Sequence, residues 1–431
     1  MRLLAVFLSC CCALTAAFAA PASRPNVVVM LADDQGWGDL GLHGNTDAVT
    51  PHLDALGRSG ARFAHFYVSS VCAPTRAEFL TGRYHPRTGV RGVSTGQERL
   101  DLDERTVADV FKAAGYATGA FGKWHNGSQW PYHPNARGFA EYEGFTSGHW
   151  AEYFDPALER NGQPVRGRGY IADHLTDRAL DFIGRHRTSP FFCYIPYNTP
   201  HSPWAVPAAD WEKWRDRPIA LRGSLGAKED LATTRIVHAM NENLDRNVGR
   251  VLARLDELGL RENTVVVYFS DNGPNTARWN GGLKGRKGTV DEGGLRAPLL
   301  VRWPGKIAPG TVVAPIAGAI DLLPTLAALA GVPLPTAKPL DGTDLSPLLL
   351  GRTTVAPERL LFAHQNGRLS VRSPTHRLDP AGELFDLRTD PGQLRNVAAD
   401  QADTARRLGA ALAAWKTEVV PHLAAPAAGP A

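Results

Sequence analysis

Cysteine is scarce in this chain, and its placement says more than its number. Five of the 431 residues are cysteine. Cys10, Cys11 and Cys12 lie near the N-terminus, which leaves Cys72 and Cys193 for the rest. A fold stapled by several disulfides is therefore excluded. No apolar run beyond the N-terminus is long enough to cross a bilayer. The GxxxxGK[ST] phosphate loop is absent, as is any basic run of the kind that forms a nucleic-acid arm. The net charge of +4 is small for this length. It excludes binding of nucleic acid through bulk charge and leaves room for a locally basic pocket. No internal repeat is present. The 43% apolar and 21% charged residues are ordinary for a globular chain.

Residues 1–20 read as an export signal. Arg2 supplies a positive start, 3–16 is an apolar stretch, and Ala17-Phe18-Ala19 is a small-x-small cleavage pattern. The mature chain is expected to be secreted or periplasmic, with no transmembrane segment. An uncleaved N-terminal anchor, or lipid attachment at Cys10–Cys12, is the alternative. Cys193 lies in an apolar strand-like run and Cys72 in a Pro/Thr/Arg turn, so a bridge between them is disfavoured.

Short Val-rich or aromatic runs alternate with amphipathic helical patterns. Strands are expected at 26–31, 117–121, 191–195, 265–269 and 299–303. Helices are expected at 51–59, 106–114, 171–187 and 235–258. The run at 26–31 does not alternate, as a strand buried on both faces does not. This order predicts an α/β fold, a mainly parallel mixed sheet sandwiched by helices. The Pro-rich stretch 332–339 leads into a smaller α+β C-terminal subdomain with an extended piece at 383–387 and a helix near 403–416. The expected division is 24–335 for the main domain, 336–422 for the small one, and 423–431 for a disordered tail.

Polar residues follow the predicted strands. Asp33-Asp34 ends the first run, Asp271-Asn272 the run at 265–269, Lys123 and His125 the run at 117–121, and His201 lies beyond 191–195. In open parallel sheets ligands bind beyond the carboxyl ends of the strands. Asp33, Asp34, Asp271 and Asn272 are hard oxygen donors suited to Ca²⁺ or Mg²⁺ and poorly suited to zinc. As separate pairs they could equally cap helices or turns. Cys72-Ala73-Pro74-Thr75-Arg76 puts a cysteine at a helix start, with Arg76 one turn on. From chemistry alone this is either an activated thiolate or a structural cysteine beside a cap. The stretch from Gly281 to Gly288 is Gly-rich and holds Lys284, Arg286 and Lys287. It is either a wrap for a tetrahedral anion or a solvated basic loop.

Taken together, these segments resemble the formylglycine-dependent sulfatases of the alkaline phosphatase superfamily. Cys72-Ala73-Pro74-Thr75-Arg76 matches the family's Cys-x-Pro-x-Arg signature, and Leu80-Thr81-Gly82-Arg83 its extension. The Asp33-Asp34, Gly122-Lys123-Trp124-His125, Ser270-Asp271-Asn272-Gly273 and Glu292-Gly293-Gly294 segments follow in the family's order, and Glu383-Leu384-Phe385-Asp386-Leu387 resembles its closing segment. The resemblance implies an alkaline phosphatase-like fold and a sulfuric ester hydrolase. It implies that a separate formylglycine-generating maturation enzyme converts Cys72 to formylglycine (3-oxoalanine). It further implies one Ca²⁺, with Mg²⁺ the lesser choice, on Asp33, Asp34, Asp271, Asn272 and residue 72. Lys123 and Lys287 would bind sulfate oxygens, Arg76 would orient residue 72, His201 would protonate the departing alcohol, and His125 would act as base at residue 72. Lys284 matches an often basic family position.

Residues 124–154 are rich in aromatics, which either pack in the core and loops or offer platforms for sugar rings, and the stretch is similar to bacterial sulfatases that attack sulfated polysaccharides. A sulfated carbohydrate is the expected substrate, with Lys284, His149 and Trp150 as substrate-binding residues. The rival readings are a phosphonate or phosphodiester hydrolase with the same machinery, or a non-catalytic sulfated-glycan binder.

Overall fold

The computed structural model describes residues 24–223, 228–335, 337–356 and 358–423. The expected export signal at 1–20 and nearly all of the tail at 423–431 lie outside them. A ten-stranded mixed sheet runs through the centre. Its middle is parallel: strand Asn26–Ala32 lies between Phe191–Pro196 and Thr264–Ser270, with Val27 opposite both Phe192 and Val265. Strand Ala117–Lys123 adds in parallel beyond Phe191–Pro196, and Glu141–Phe145 beyond that. The hairpin Ala157–Arg160 and Gln163–Arg166 closes this edge in antiparallel fashion. On the other side Leu299–Arg302 runs antiparallel between Thr264–Ser270 and Ala61–Phe63.

The unalternating apolar sequence of Asn26–Ala32 has a direct cause. Alternate side chains of a strand point to opposite faces. Val27, Val29 and Leu31 enter a core with Phe79, Val107, Phe111 and Leu326. Val28 and Met30 enter a second core with Leu56, Leu175, Met240 and Leu244. Helices Cys72–Thr81, Val107–Ala113 and Leu322–Ala330 cover the first face. Helices Pro51–Ser59, Ile171–Arg185 and Leu231–Glu257 cover the second. Thr106 caps Val107–Ala113 by accepting the Asp109 N–H at 3.1 Å. The helix expected at 235–258 begins one turn earlier, where the Asp230 side chain caps it.

The C-terminal region forms a separate four-stranded antiparallel sheet, Leu361–Gln365, Arg368–Arg372, His376–Leu378 and Leu384–Asp386. Helix Ala402–Val419 packs on it through Leu408 and Trp415. Among the described residues no helix is long and apolar enough to cross a membrane.

Candidate active site

The carboxyl ends of the two central strands meet. Asp33 and Asp34 follow one, and Asp271 and Asn272 the other; all four are fully buried. Asp271 Oδ1 accepts the Asp34 backbone N–H at 3.1 Å, and Asn272 Nδ2 donates to Asp34 Oδ1 at 2.7 Å. Residues 237 positions apart in sequence are thus direct neighbours. Asp33 Oδ1, Asp34 Oδ2 and Asn272 Oδ1 are buried without a hydrogen-bond partner among the described residues. Such orphaned acceptors are costly in a dry interior. One ligand atom each from Asp33, Cys72 and Asp271 lie within 4.8 Å of one another. A hard cation fits this donor set.

Cys72 opens helix Cys72–Thr81, every residue of which is buried. Both Cys72 and Cys193 are free thiols. The activated-thiolate reading does not hold: burial pushes the Cys72 thiol up, and Asp33 and Asp271 add to it, against the pull of Lys123 and Lys287. Arg76 does not fold back on Cys72 alone. Its Nη2 donates to Asp271 Oδ2 at 2.8 Å and its Nη1 to the Lys123 carbonyl at 3.0 Å. Lys123 Nζ lies 2.6 Å from Asp33 Oδ2, and Lys287 Nζ 2.6 Å from Asp34 Oδ1. Burial opposes ionisation of Asp33, but Lys123, His201 and Arg76 overcome it and hold its carboxyl well below the usual range. Asp271 is pushed up to about 7 by burial and by Asp33.

Two histidines flank the cluster with different proton placements. His125 places Nε2 2.8 Å from the Val93 carbonyl, so Nε2 carries the proton and Nδ1 is a buried lone pair with no partner. Burial, then Lys123, keeps this imidazole neutral, well below the ordinary histidine pKa. His201 places Nδ1 2.6 Å from the Ser202 carbonyl and Nε2 3.7 Å from Asp34 Oδ2. The exposed His149 completes the group, its ring 5.1 Å from His201 and 6.4 Å from His125. Gly148 has no room for a side chain, since a Cβ would lie 2.1 Å from His125 Nε2.

Much of the aromatic stretch packs inside the molecule. Trp124, Tyr132 and Tyr153 are core residues. Trp150 is half-buried and stacks on Phe145 at 5.0 Å. Trp130 and Phe154 are the members of the stretch that are largely exposed. Lys284 turns toward the C-terminal sheet, with Nζ 3.8 Å from Asp291 and 5.0 Å from the Phe385 ring centre. Sequence reasoning counted Tyr153 only as one of the aromatics and missed that its hydroxyl donates to the His201 carbonyl at 2.7 Å and fixes that loop. It also missed the Val93 carbonyl that sets the His125 tautomer. Neither has a sequence signal, because a backbone acceptor and a lone tyrosine carry no spacing pattern.

Residues 25–332 match the family model described as Sulfatase. Arylsulfatase A of Homo sapiens is 36% identical, over 89% of this chain and 85% of the human protein. Steryl-sulfatase of Mus musculus is 32% identical, over 82% of this chain and 69% of the mouse protein. Among solved structures, Ps i-CgsB in complex with k-i-k-neocarrahexaose superposes with a TM-score of 0.83 at 28% identity, over 92% of this chain and 94% of that one.

Proposed function

The chain belongs to the sulfatase family and is a sulfuric ester hydrolase, and on that premise we propose that it is an exported enzyme of sulfated carbohydrates. In this reading it acts through a formylglycine made from Cys72 and one Ca²⁺. The observation that carries the site assignment is the set of three orphaned oxygens, on Asp33, Asp34 and Asn272, beside the first residue of the Cys72–Thr81 helix. Asp33, Asp34, Asp271, Asn272 and residue 72 would hold the cation. An all-oxygen protein donor set favours Ca²⁺, which accepts irregular geometry, over Mg²⁺. When bound, the cation supplies Lewis-acid polarisation and the modified residue an oxygen nucleophile.

The chain's own groups do the rest. Asp33, Asp34 and Asp271 are balanced by Arg76, Lys123 and Lys287. A divalent ion therefore leaves the pocket positive, which favours an anionic ester. Lys123 and Lys287 bind the sulfate oxygens and stabilise the charge that builds on them. Arg76 orients residue 72 by fixing Asp271 and the Lys123 backbone. His201 Nε2 gives its proton to the departing alcohol oxygen. His125 Nδ1, an unprotonated lone pair at neutral pH, accepts a proton at residue 72.

The substrate class rests on three supports. The Ps i-CgsB structure carries a neocarrahexaose. Trp130 and Phe154 are exposed, and His149 and Trp150 lie on the loop beside His201. The N-terminal sequence pattern supports export of the mature chain. Residues 24–335 form the catalytic domain and 336–422 the small subdomain in this reading. Maturation of Cys72 requires a formylglycine-generating enzyme as partner.

Mass analysis of the peptide around residue 72 tests the proposal, together with turnover of 4-nitrophenyl sulfate and a panel of sulfated sugars. Replacement of CH₂–SH by CHO and release of sulfate are expected. An unmodified cysteine in fully active enzyme, or higher efficiency on an aryl phosphate diester, overturns it.

A further inference from the structure

Lys287 reaches Asp34 from a segment whose own regular structure is the short helix Glu292–Leu295. What holds the segment comes from elsewhere in the chain. Glu292 is 1% exposed. Its Oε1 accepts from Nε and Nη2 of Arg377 at 3.0 and 2.6 Å, and lies 3.4 Å from Nε of Arg372. Its Oε2 accepts the Tyr67 hydroxyl at 2.9 Å. Arg377 Nη1 donates to the Val290 carbonyl at 3.2 Å, which also accepts the Ser370 hydroxyl at 2.8 Å. The Glu292 backbone N–H donates to Gln393 Oε1 at 2.8 Å.

Arg372, Arg377 and Ser370 all belong to the C-terminal sheet. Burial alone would raise the Glu292 carboxyl; Arg377, Arg372 and Arg296 overcome it and bring it to about 2, so the carboxylate is ionised across the working range. On the opposite side the same segment is tied to the catalytic core. The Lys287 N–H donates to the Pro274 carbonyl at 3.1 Å and the Gly288 N–H to the Ser70 carbonyl at 2.8 Å. The segment is therefore pinched between the sulfate site and the C-terminal sheet. A long lysine side chain binds an anion well only if its backbone is held, since displacement of about 1 Å is enough to lose alignment.

We propose that Glu292, Arg372 and Arg377 form a latch through which the C-terminal sheet sets the position of Lys287, and with it the affinity of the site for the sulfate group. These are positioning residues, and Lys287 is the group they act through. The inference rests on the reading of Lys287 as a sulfate-binding cation.

The test uses the full mature chain with Glu292→Gln, Arg377→Lys and Gln393→Leu. The readouts are hydrolysis of 4-nitrophenyl sulfate, inhibition by inorganic sulfate, and hydrogen–deuterium exchange of peptides spanning 264–273 and 284–296. In Glu292→Gln, KM and the sulfate inhibition constant rise about ten-fold while kcat stays within about three-fold. Exchange quickens in 284–296 and not in 264–273. Arg377→Lys keeps the charge without the planar fork and falls between wild type and Glu292→Gln. Gln393→Leu removes one hydrogen bond, leaves the ion pairs, and carries the test if Glu292→Gln does not fold. Folded variants with unchanged exchange at 284–296, or with unchanged KM and sulfate inhibition, overturn the latch. A wild type that releases no sulfate from the ester overturns the reaction reading instead, and the exchange data then still decide whether the segment is latched.

Discussion

Gly273 and Gly293 meet backbone to backbone: a Cβ on Gly273 would lie 2.0 Å from the Gly293 carbonyl oxygen. The Gly273 N–H also donates to the Gly294 carbonyl at 3.0 Å. The loop after Asp271-Asn272 is thereby fastened to the segment that carries Lys287. Gly273→Ala forces the two apart, and overpacking of this kind costs about 1–3 kcal/mol. A lowered melting temperature and a raised KM are expected together. A variant with wild-type values of both shows that the contact relaxes freely.

Cys72→Ala removes the residue that the proposed chemistry modifies, while a methyl still fills the start of a buried helix. Turnover should fall to background with circular dichroism unchanged. Residual activity near that of wild type leaves formylglycine chemistry without support.

Chelation should act on stability as well as on rate. A cation that binds only the folded chain stabilises it by mass action, and its loss leaves the buried oxygens of Asp33, Asp34 and Asn272 without a partner. Treatment with EDTA should lower the melting temperature and abolish turnover. Both should return with Ca²⁺ and less completely with Mg²⁺. A melting curve indifferent to chelator and to added cation removes the metal from the site.

His201→Ala separates leaving groups. A good leaving group such as 4-nitrophenolate departs without a proton, whereas a sugar alkoxide does not. The loss of kcat should reach about 10²-fold or more on a sulfated sugar and stay far smaller on the aryl ester. Equal losses on both substrates assign the general acid elsewhere.

Glu78 gives a pH signature independent of the chemistry. Burial raises its carboxyl from 4.5 to about 8, against hydrogen bonds from the His85 backbone and the Ser69 hydroxyl. The folded state thus holds a proton that the unfolded chain releases near 4.5. Stability falls as pH rises from 4.5 to about 8, and the full penalty persists above it. Glu78→Gln should flatten this slope and melt higher than wild type at pH 8–9. A parallel pH dependence in both proteins contradicts it.

The strands that build the site were readable because burial on both faces leaves unbroken apolar runs, as in Asn26–Ala32 and Thr264–Ser270. The ligand pairs were readable because they follow those runs. Direction and register were not: nothing local says that Val27 faces both Phe192 and Val265, or that Leu299–Arg302 runs antiparallel. Charge balance was equally out of reach. The raised Cys72 thiol depends on burial, with Asp33 and Asp271 adding to it, and the path of Lys284 on the distant Phe385. The aromatic count at 124–154 left two readings open because core and rim aromatics look alike until burial is known. The Glu292–Arg377 pair spans 85 positions and left no pattern.

The pairing of Asn26–Ala32 with Thr264–Ser270 also sets an order of events. During synthesis, the first strand waits for a neighbour 238 residues downstream. Until that neighbour emerges, the Cys72 segment lacks the wall that later encloses it. Once the central strands join, that thiol is sealed at 1% exposure. In the proposed function, conversion of Cys72 then belongs to the nascent chain, before the central strands close over it.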